Sequence, residues 1–266
     1  ACRATFDVPA DAPQVDLDWS CYAGKRRQLP WFVLAALVLA EGGVRILMQG
    51  TEGHTPGRVY TREVIEALGL PLATSLRDAA RGIDEANLAY LPLEHLSPKL
   101  HELIQLRPIL GLRSPVHTVG RMLNPLGAPY LLQGIFHPGY NRIHQEAAAL
   151  LGQPHMAVFR GEGGEIERRP NKPLDVMTVH DGALETEAWQ ALLAESQQPH
   201  DEEMRLDRLV RVWRAEEDDA YATAAVTGTL AIALKLLGRA ESSDAAEAEA
   251  KHLWAARNRG RLEAAA

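Results

Sequence analysis

The chain has few of the features that define several classes of protein. It contains only two cysteines, Cys2 and Cys21, in 266 residues. Two thiols are too few for a disulfide framework or a cysteine metal cluster, which fits a reducing compartment. The best apolar run, from Leu29 to Val44, is too short to span a membrane and contains Glu41. Because no secretory signal is visible either, we predict a cytoplasmic protein without a membrane partner.

The chain also has fewer basic residues than acidic ones. The sequence has Lys+Arg 28 against Asp+Glu 35, and its formal net charge is -7. This balance argues against nucleic-acid binding that is driven by overall charge. The acids are concentrated in the last third, however, whereas several loops in the first two-thirds are basic. A locally positive groove on an acidic protein is therefore compatible with the composition.

What the sequence does contain is an alternation of short apolar strands and amphipathic helices up to about residue 180. This alternation predicts an α/β fold, with a mostly parallel central sheet flanked by helices on both faces. We expect residues 15–266 to form the domain, with 15–180 supplying the sheet and its crossover helices and 181–266 mainly helical. Residues 1–14 lack an initiator methionine and are predicted to be a truncated N-terminal segment or linker.

Four basic loops are candidates for one functional edge, because ligands of parallel sheets bind beyond the carboxyl ends of the strands. The loops span residues 20–27, 48–58, 111–121 and 160–172. Cations beside an aromatic ring suit a nucleic-acid strand, through phosphate pairing and base stacking. An equally simple interpretation is a set of solvated basic turns. The candidate binding residues are Tyr22, Lys25, Arg26, Arg27, Arg58, Arg62, Arg113, His117, Arg121, Arg168 and Arg169.

Residues 111–138 form the stretch around which the prediction is organised. Ser114 is a good N-cap and the following proline fits the first helical position, so a helix is predicted from there to Asn124. Arg113, His117 and Arg121 recur every four residues, which places them on one ridge near the helix start. A helix N-terminus attracts anions, so this ridge is predicted to be exposed and anion-binding.

The same stretch resembles a known family. Arg113, Gly120, Asn124 and Pro125 fall in register with the Arg-Thr, Gly-Pro and Asn-Pro signature of anthranilate phosphoribosyltransferase, and the resemblance runs from about residue 15 to 258. Histidine at 117 and arginine at 121 replace asparagine and proline. This version resembles the YbiB-type branch, described as non-specific nucleic-acid binders built on the transferase fold. The resemblance implies the transferase large domain, a homodimer, and a small helical domain that is largely missing from this chain.

The resemblance also argues against anthranilate activity. Residues 19–23 stand where the transferases have the glycine loop that wraps the pyrophosphate of phosphoribosyl pyrophosphate. Residues 48–51 retain one glycine of the Lys-His-Gly-Asn segment. The Asp-Glu pair that holds magnesium falls on Ile166 and Glu167, and isoleucine cannot bind magnesium.

Two main functions follow from these observations. The first is nucleic-acid binding without sequence preference, to a single strand, by a homodimer that needs no cofactor or metal and has no assigned catalytic residue. The alternative is a phosphoribosyltransferase or glycosyltransferase with an unknown acceptor, which would use magnesium and phosphoribosyl pyrophosphate. A degenerate enzyme that serves as a scaffold is a third interpretation.

Overall fold

A computed structural model describes residues 2–112, 115–195, 199–201 and 203–262. Within these ranges the sheet has seven strands in the order β3-β2-β1-β4-β5-β6-β7. The strands are β1 Leu17–Cys21, β2 Ile46–Gly50, β3 Leu88–Pro92, β4 Tyr130–Ile135, β5 His155–Arg160, β6 Leu174–His180 and β7 Ala183–Trp189. Strands β1 to β5 are parallel, whereas β6 and β7 pair antiparallel to their neighbours. The predicted α/β fold with a mostly parallel sheet is confirmed.

Helices cover both faces of the sheet. In the described part of the chain they are α1 Phe32–Glu41, α2 Thr61–Ala67, α3 Leu76–Ala86, α4 Leu93–Leu96, α5 Pro98–Gln105, α6 Arg107–Leu110, α7 Val116–Gly120, α8 Gly139–Leu150, α9 Asp207–Arg214, α10 Ala220–Leu236 and α11 Ser243–Ala256. Helices α1, α9 and α10 share the larger core with Trp19 of β1, while α3 and α5 pack around a second core on the opposite face. Because both faces are covered, β1, β2 and β3 are buried along their whole length.

The order of the strands fixes where a ligand site is expected. Strand β1 pairs with β2 on one side and with β4 on the other, so the chain changes direction across the sheet between β1 and β4. In open α/β sheets the crevice at such a switch point, beyond the carboxyl ends of the strands, is the usual ligand site. The loops that follow Cys21 and Ile135 therefore border the candidate site.

The expectation that the chain becomes mainly helical after residue 180 is wrong for residues 183–189, which form β7. Strands β6 and β7 are joined by the two residues Asp181 and Gly182, both of which have positive φ. A two-residue Asp-Gly loop is a strong hairpin signal, because both positions need left-handed backbone. Pairing along β6 thus overrides the helical propensity of the ALETEAW segment.

The N-terminal segment packs against the domain. Residues Cys2–Thr5 form a single 3-10 turn, and the side chain of Arg3 donates to the carbonyl oxygens of Leu123 and Met122, each at 2.8 Å. These contacts attach the start of the described chain to the segment that follows α7.

Candidate functional site

The predicted loops do converge on one edge of the sheet. The guanidinium of Arg58 donates to the carbonyl oxygens of Ala23 at 3.0 Å, Gly24 at 2.9 Å and Gly163 at 3.3 Å. Arg121, just after α7, lies 3.4 Å from the carbonyl oxygen of Gly164. Four segments far apart in the sequence thus meet at the carboxyl ends of β1 and β4. This convergence confirms the predicted edge.

Several side chains that were predicted to contact phosphate instead form ion pairs within the protein. The side chains of Lys25 and Glu167 are both 0% exposed and form an ion pair. Arg168 is also buried, binds Glu247 at 2.7 Å and lies over the ring of Trp189. A cation taken out of water needs a partner within the protein, so these two charges are not presented to a ligand.

The predicted exposed ridge on α7 is buried. His117 and Arg121 both face inward, and Nη1 of Arg121 donates to the carbonyl oxygen of His117 at 2.9 Å. The residue exposed on this helix is Val119. The helix is only five residues long, too short for the four-residue spacing to define an outer face. Arg113 and Ser114, which belong to the same prediction, lie outside the described residues.

Tyr22 is part of the core and not a stacking platform. Its hydroxyl donates to Oε1 of Gln49, and its ring packs against Gly120. A Cβ atom at position 120 would lie 2.6 Å from the ring, so glycine is required there. The aromatic ring expected to bind a base instead fixes α7 on the end of β1.

The remaining predicted cations differ in their exposure. Arg62 is half-buried and binds Glu52 at 2.7 Å and Glu94 at 2.5 Å, so its charge is neutralised. Arg26 and Arg27 are exposed, and neither forms an ion pair with any residue that the structure describes. Arg169 is half-buried and likewise has no described acid partner. These three predicted contacts stay available to a ligand.

The loop after β1 forms an anion-binding turn, and the anion that it binds is a carboxylate of the same chain. The backbone N–H groups of Ala23 and Gly24 both donate to Oε1 of Glu165, at 2.6 Å for Ala23. Gly24 has φ +68, which lets the two N–H groups converge. Glu165 is buried, and its other oxygen has no hydrogen-bond partner among the described residues. A carboxylate of the chain therefore occupies the donors that a phosphate would otherwise use.

The residues at the predicted magnesium positions do not fit the ion. Ile166 is fully buried in the larger core. Oε1 of Glu167 binds Lys25, and Oε2 accepts from the N–H of Phe32 at 3.0 Å. Burial raises the pKa of Glu167 to about 7. No cluster of three His, Cys, Asp or Glu residues in the described ranges is arranged for a metal either.

A buried carboxyl group lies directly below this edge. Asp18 of β1 is buried, with Nε2 of Gln49 3.5 Å from Oδ1. Its Oδ2 has no hydrogen-bond partner in the described structure, and burial raises the pKa of Asp18 to about 7. Helices α3, α5 and α7 cover the face of the sheet on which Asp18 lies. The sequence signal for this buried carboxyl group is an aspartate between two apolar residues, Leu17 and Trp19, inside a strand.

The sequence interpretation missed an aromatic cavity of about 550 Å³ at the end of β4. Phe136 and Tyr140 line it and are 46% and 51% exposed, with His137 between them, 4.9 Å from the Phe136 ring. The buried His144 forms its floor, with Nδ1 2.6 Å from the side-chain oxygen of Gln133. Burial, aided by Arg121, lowers the pKa of His144 to about 4, so this histidine is neutral at neutral pH. The guanidinium of Arg121 lines the same cavity.

The fold and the site first define a class: an α/β protein with a switch-point site between β1 and β4. The chain belongs to the glycosyl transferase family, whose a/b-domain model matches residues 33–254. Anthranilate phosphoribosyltransferase from Oleidesulfovibrio alaskensis is 31% identical over 153 residues, or 57% of this chain and 45% of the relative. The enzyme from Ralstonia pickettii is 30% identical over 130 residues, or 49% and 37%. The match therefore spans less than half the length of either relative.

Solved structures of the same enzyme share the fold. The anthranilate phosphoribosyltransferase of Thermus thermophilus superposes with a TM-score of 0.74 at 23% identity, over 96% of this chain and 77% of that one. The enzyme of Saccharomyces cerevisiae in complex with PRPP and Mg has a TM-score of 0.75 at 15% identity, over 96% and 72%. The predicted transferase-like family is confirmed, whereas the YbiB-type branch stays a prediction. Among the described helices, none is long and apolar enough to cross a membrane.

Proposed function

We propose that this chain binds single-stranded nucleic acid without sequence preference, with an unpaired base held in the aromatic cavity. The observation that carries this proposal is the cavity itself, where the exposed rings of Phe136 and Tyr140 lie above a buried lining that contains a neutral histidine and the guanidinium of Arg121. Soluble proteins leave few large aromatic side chains clustered in solvent without a binding role. A nucleobase is flat and apolar on its faces, and stacking on aromatic side chains contributes roughly 1–3 kcal/mol per base.

The surroundings of the cavity favour a strand over a duplex. A base can stack on the rings of Phe136 and Tyr140 only when it is not stacked inside a duplex. The exposed Arg26 and Arg27 lie on the loop after β1, at the same edge of the sheet, where they can contact phosphates. Because the net charge of the protein is -7, binding depends on these local cations and should weaken steeply with salt. A homodimer would present two such sites and gain avidity.

The direct test is fluorescence anisotropy with labelled single-stranded oligonucleotides of several sequences over a range of salt concentrations. We expect salt-sensitive and sequence-indifferent binding. Removing the rings in the double variant Phe136→Ala/Tyr140→Ala should weaken affinity by at least about tenfold. The matched control is Leu150→Ala, which removes an 89% exposed apolar side chain at the other end of α8. Absence of binding at low salt would reject the function, and equal loss in both variants would remove the cavity from the site.

Phosphoribosyl transfer to an unknown acceptor is the second candidate, and the comparisons support it more directly than nucleic-acid binding. The family is that of glycosyl transferases, and the relatives named above are anthranilate phosphoribosyltransferases. The aromatic cavity would suit a planar acceptor. Against it stand the occupation of the β1 loop donors by Glu165 and the absence of fitting magnesium ligands at Ile166 and Glu167.

Calorimetry with phosphoribosyl pyrophosphate and magnesium separates the two candidates. We expect no measurable binding to the wild-type chain, because a bound pyrophosphate would have to displace the buried Glu165 carboxylate. Binding, followed by release of pyrophosphate when nucleobases or aromatic amines are added, would establish the transferase. Tight oligonucleotide binding without either result would leave nucleic-acid binding as the function.

A further inference from the structure

Three cations near α8 lack the partners that most other cations of the molecule have. The side chains of Arg160, Arg169 and Lys172 form no ion pair and no hydrogen bond within the described part of the chain, whereas Arg62, Arg168 and Arg208 each bind one or more carboxylates. All three line one cavity of about 180 Å³ together with Pro138 and Asn141. We refer to it as the cation cavity.

The fold brings these side chains together from separate elements. Arg160 is the last residue of β5, and the antiparallel register pairs Phe159 with Val176, which places Arg160 beside the start of β6. Arg169 and Lys172 lie in the turn that precedes β6, where the N–H of Lys172 donates to the carbonyl oxygen of Arg169 at 3.3 Å. Three like charges that line one cavity repel one another, which is unfavourable unless an anion binds between them.

A buried amide points to a ligand independently of these charges. Asn141, in the first turn of α8, is only 4% exposed and lines the cation cavity, yet its Oδ1 has no hydrogen-bond partner among described residues. A buried acceptor without a partner costs roughly 1–3 kcal/mol, and it needs a hydrogen-bond donor. A ligand that carries a hydroxyl group beside its anionic group, as the ribose of a nucleotide does, would recover that free energy. The first turn of α8 contains no acidic side chain, so the helix dipole adds to the positive potential.

The charge of the lining selects the class of anion. The three cations face a single acid, the exposed Asp175, so the lining carries a net charge of +2 (3 − 1). A phosphomonoester carries close to two negative charges at neutral pH, whereas an internal phosphodiester carries one. We propose that the cation cavity binds a terminal phosphate, that of a nucleotide or of the end of an oligonucleotide.

The two cavities lie on either side of the first turn of α8. Tyr140 lines the aromatic cavity, while its neighbours Pro138 and Asn141 line the cation cavity. A nucleotide at the end of a strand can therefore place its base in one and its phosphate in the other. This arrangement rests on the proposed nucleic-acid function for the strand, but the phosphate site itself rests only on the cavity.

The test compares one single-stranded oligothymidylate, labelled at its 3′ end, with and without a 5′-phosphate. In the wild-type chain the phosphorylated form should bind about tenfold more tightly, as expected for charge-assisted hydrogen bonds. The preference should disappear in Arg169→Ala/Lys172→Ala and persist in Lys251→Ala, which removes an exposed cation from α11. It should also decline below about pH 6, where the terminal phosphate gains a proton. Matching thermal unfolding curves establish that the variants are folded.

Titration with thymidine 5′-monophosphate and with inorganic phosphate distinguishes a failure of the phosphate site from a failure of the nucleic-acid function. If neither oligonucleotide binds but the monophosphate binds the wild type and not the double variant, the phosphate site stands and the nucleic-acid function fails. Inorganic phosphate binding as tightly as the nucleotide would identify a free-phosphate site. Oligonucleotides that bind equally, with no binding of either small phosphate, would overturn the proposal.

Discussion

Two sets of cations at one edge of the sheet have opposite roles. The inner cations, Lys25, Arg58, Arg121 and Arg168, bind carboxylates or carbonyl groups of the chain and hold its loops together. The outer cations, Arg26, Arg27, Arg160, Arg169 and Lys172, have no described acid partner. The inner set therefore contributes to stability and the outer set is available to a ligand. A basic residue in a loop indicates a binding site only when the fold leaves its charge unpaired.

The ion pair between Lys25 and Glu167 gives the sharpest test of the inner set. Lys25→Met should destabilise the chain by about 3–5 kcal/mol, because Glu167 would stay buried without its cation. Urea unfolding at neutral pH measures the loss. The companion Lys25→Met/Glu167→Leu removes both charges and should recover much of it. A loss below about 1 kcal/mol in the single variant would contradict a stabilising role for the Lys25–Glu167 ion pair.

Asp18 provides the second test, through pH. Its pKa is raised to about 7 from 3.8, so the folded state holds a proton that the unfolded state releases. The stabilising contribution is present below about pH 4 and is lost as the pH rises towards 7. Asp18→Asn should remove this dependence and be more stable than wild type at pH 8, by at most about 4 kcal/mol. Glu52 and Glu167 titrate in the same direction, so the difference between the two proteins isolates Asp18. Parallel pH profiles would show that Asp18 is not the group responsible.

Gly120 tests whether Tyr22 belongs to the inner structure. A methyl group at this position would lie 2.6 Å from the Tyr22 ring, so Gly120→Ala should cost about 1–3 kcal/mol through overpacking. Thermal unfolding measures the loss. The smaller side chain of the double variant Gly120→Ala/Tyr22→Leu should restore part of the stability. Gly139→Ala is the matched control, since no atom lies within 4 Å of a Cβ there. Equal stability of the two glycine variants would contradict the packing of Tyr22 under α7.

The sequence predicted the sheet well because its strands are apolar on both faces and separated by helical segments. Strands Leu17–Cys21 and Ile46–Gly50 are mostly apolar, and both are buried along their whole length. The predicted helical segment after residue 180 does not take account of the Asp181-Gly182 turn, whose positive φ angles form the hairpin to β7. Here the local turn chemistry was the better guide.

The site was harder to predict, because side-chain identity does not reveal which charges meet. The convergence of the basic loops followed from the parallel fold. The pairing of Lys25 with Glu167, 142 residues away, depends on how two loops pack. The aromatic cavity combines α7 with the first turn of α8, and Phe136, His137 and Tyr140 become a cluster only when that helix is in place. Spacing along the chain carries no information about such contacts.

The smallest expected effect on stability concerns Arg26 and Arg27 of the outer set. Both are exposed and have no described acid partner, so Arg26→Ala/Arg27→Ala should change the free energy of unfolding by no more than about 0.5 kcal/mol. If they contact phosphates, affinity for single strands should fall for every sequence. The slope of log affinity against log salt should become shallower by about 0.7 for each lost contact. Anisotropy titrations at several salt concentrations measure both quantities, with Lys251→Ala as the control for removal of an exposed charge. An unchanged slope would remove this loop from the proposed binding surface.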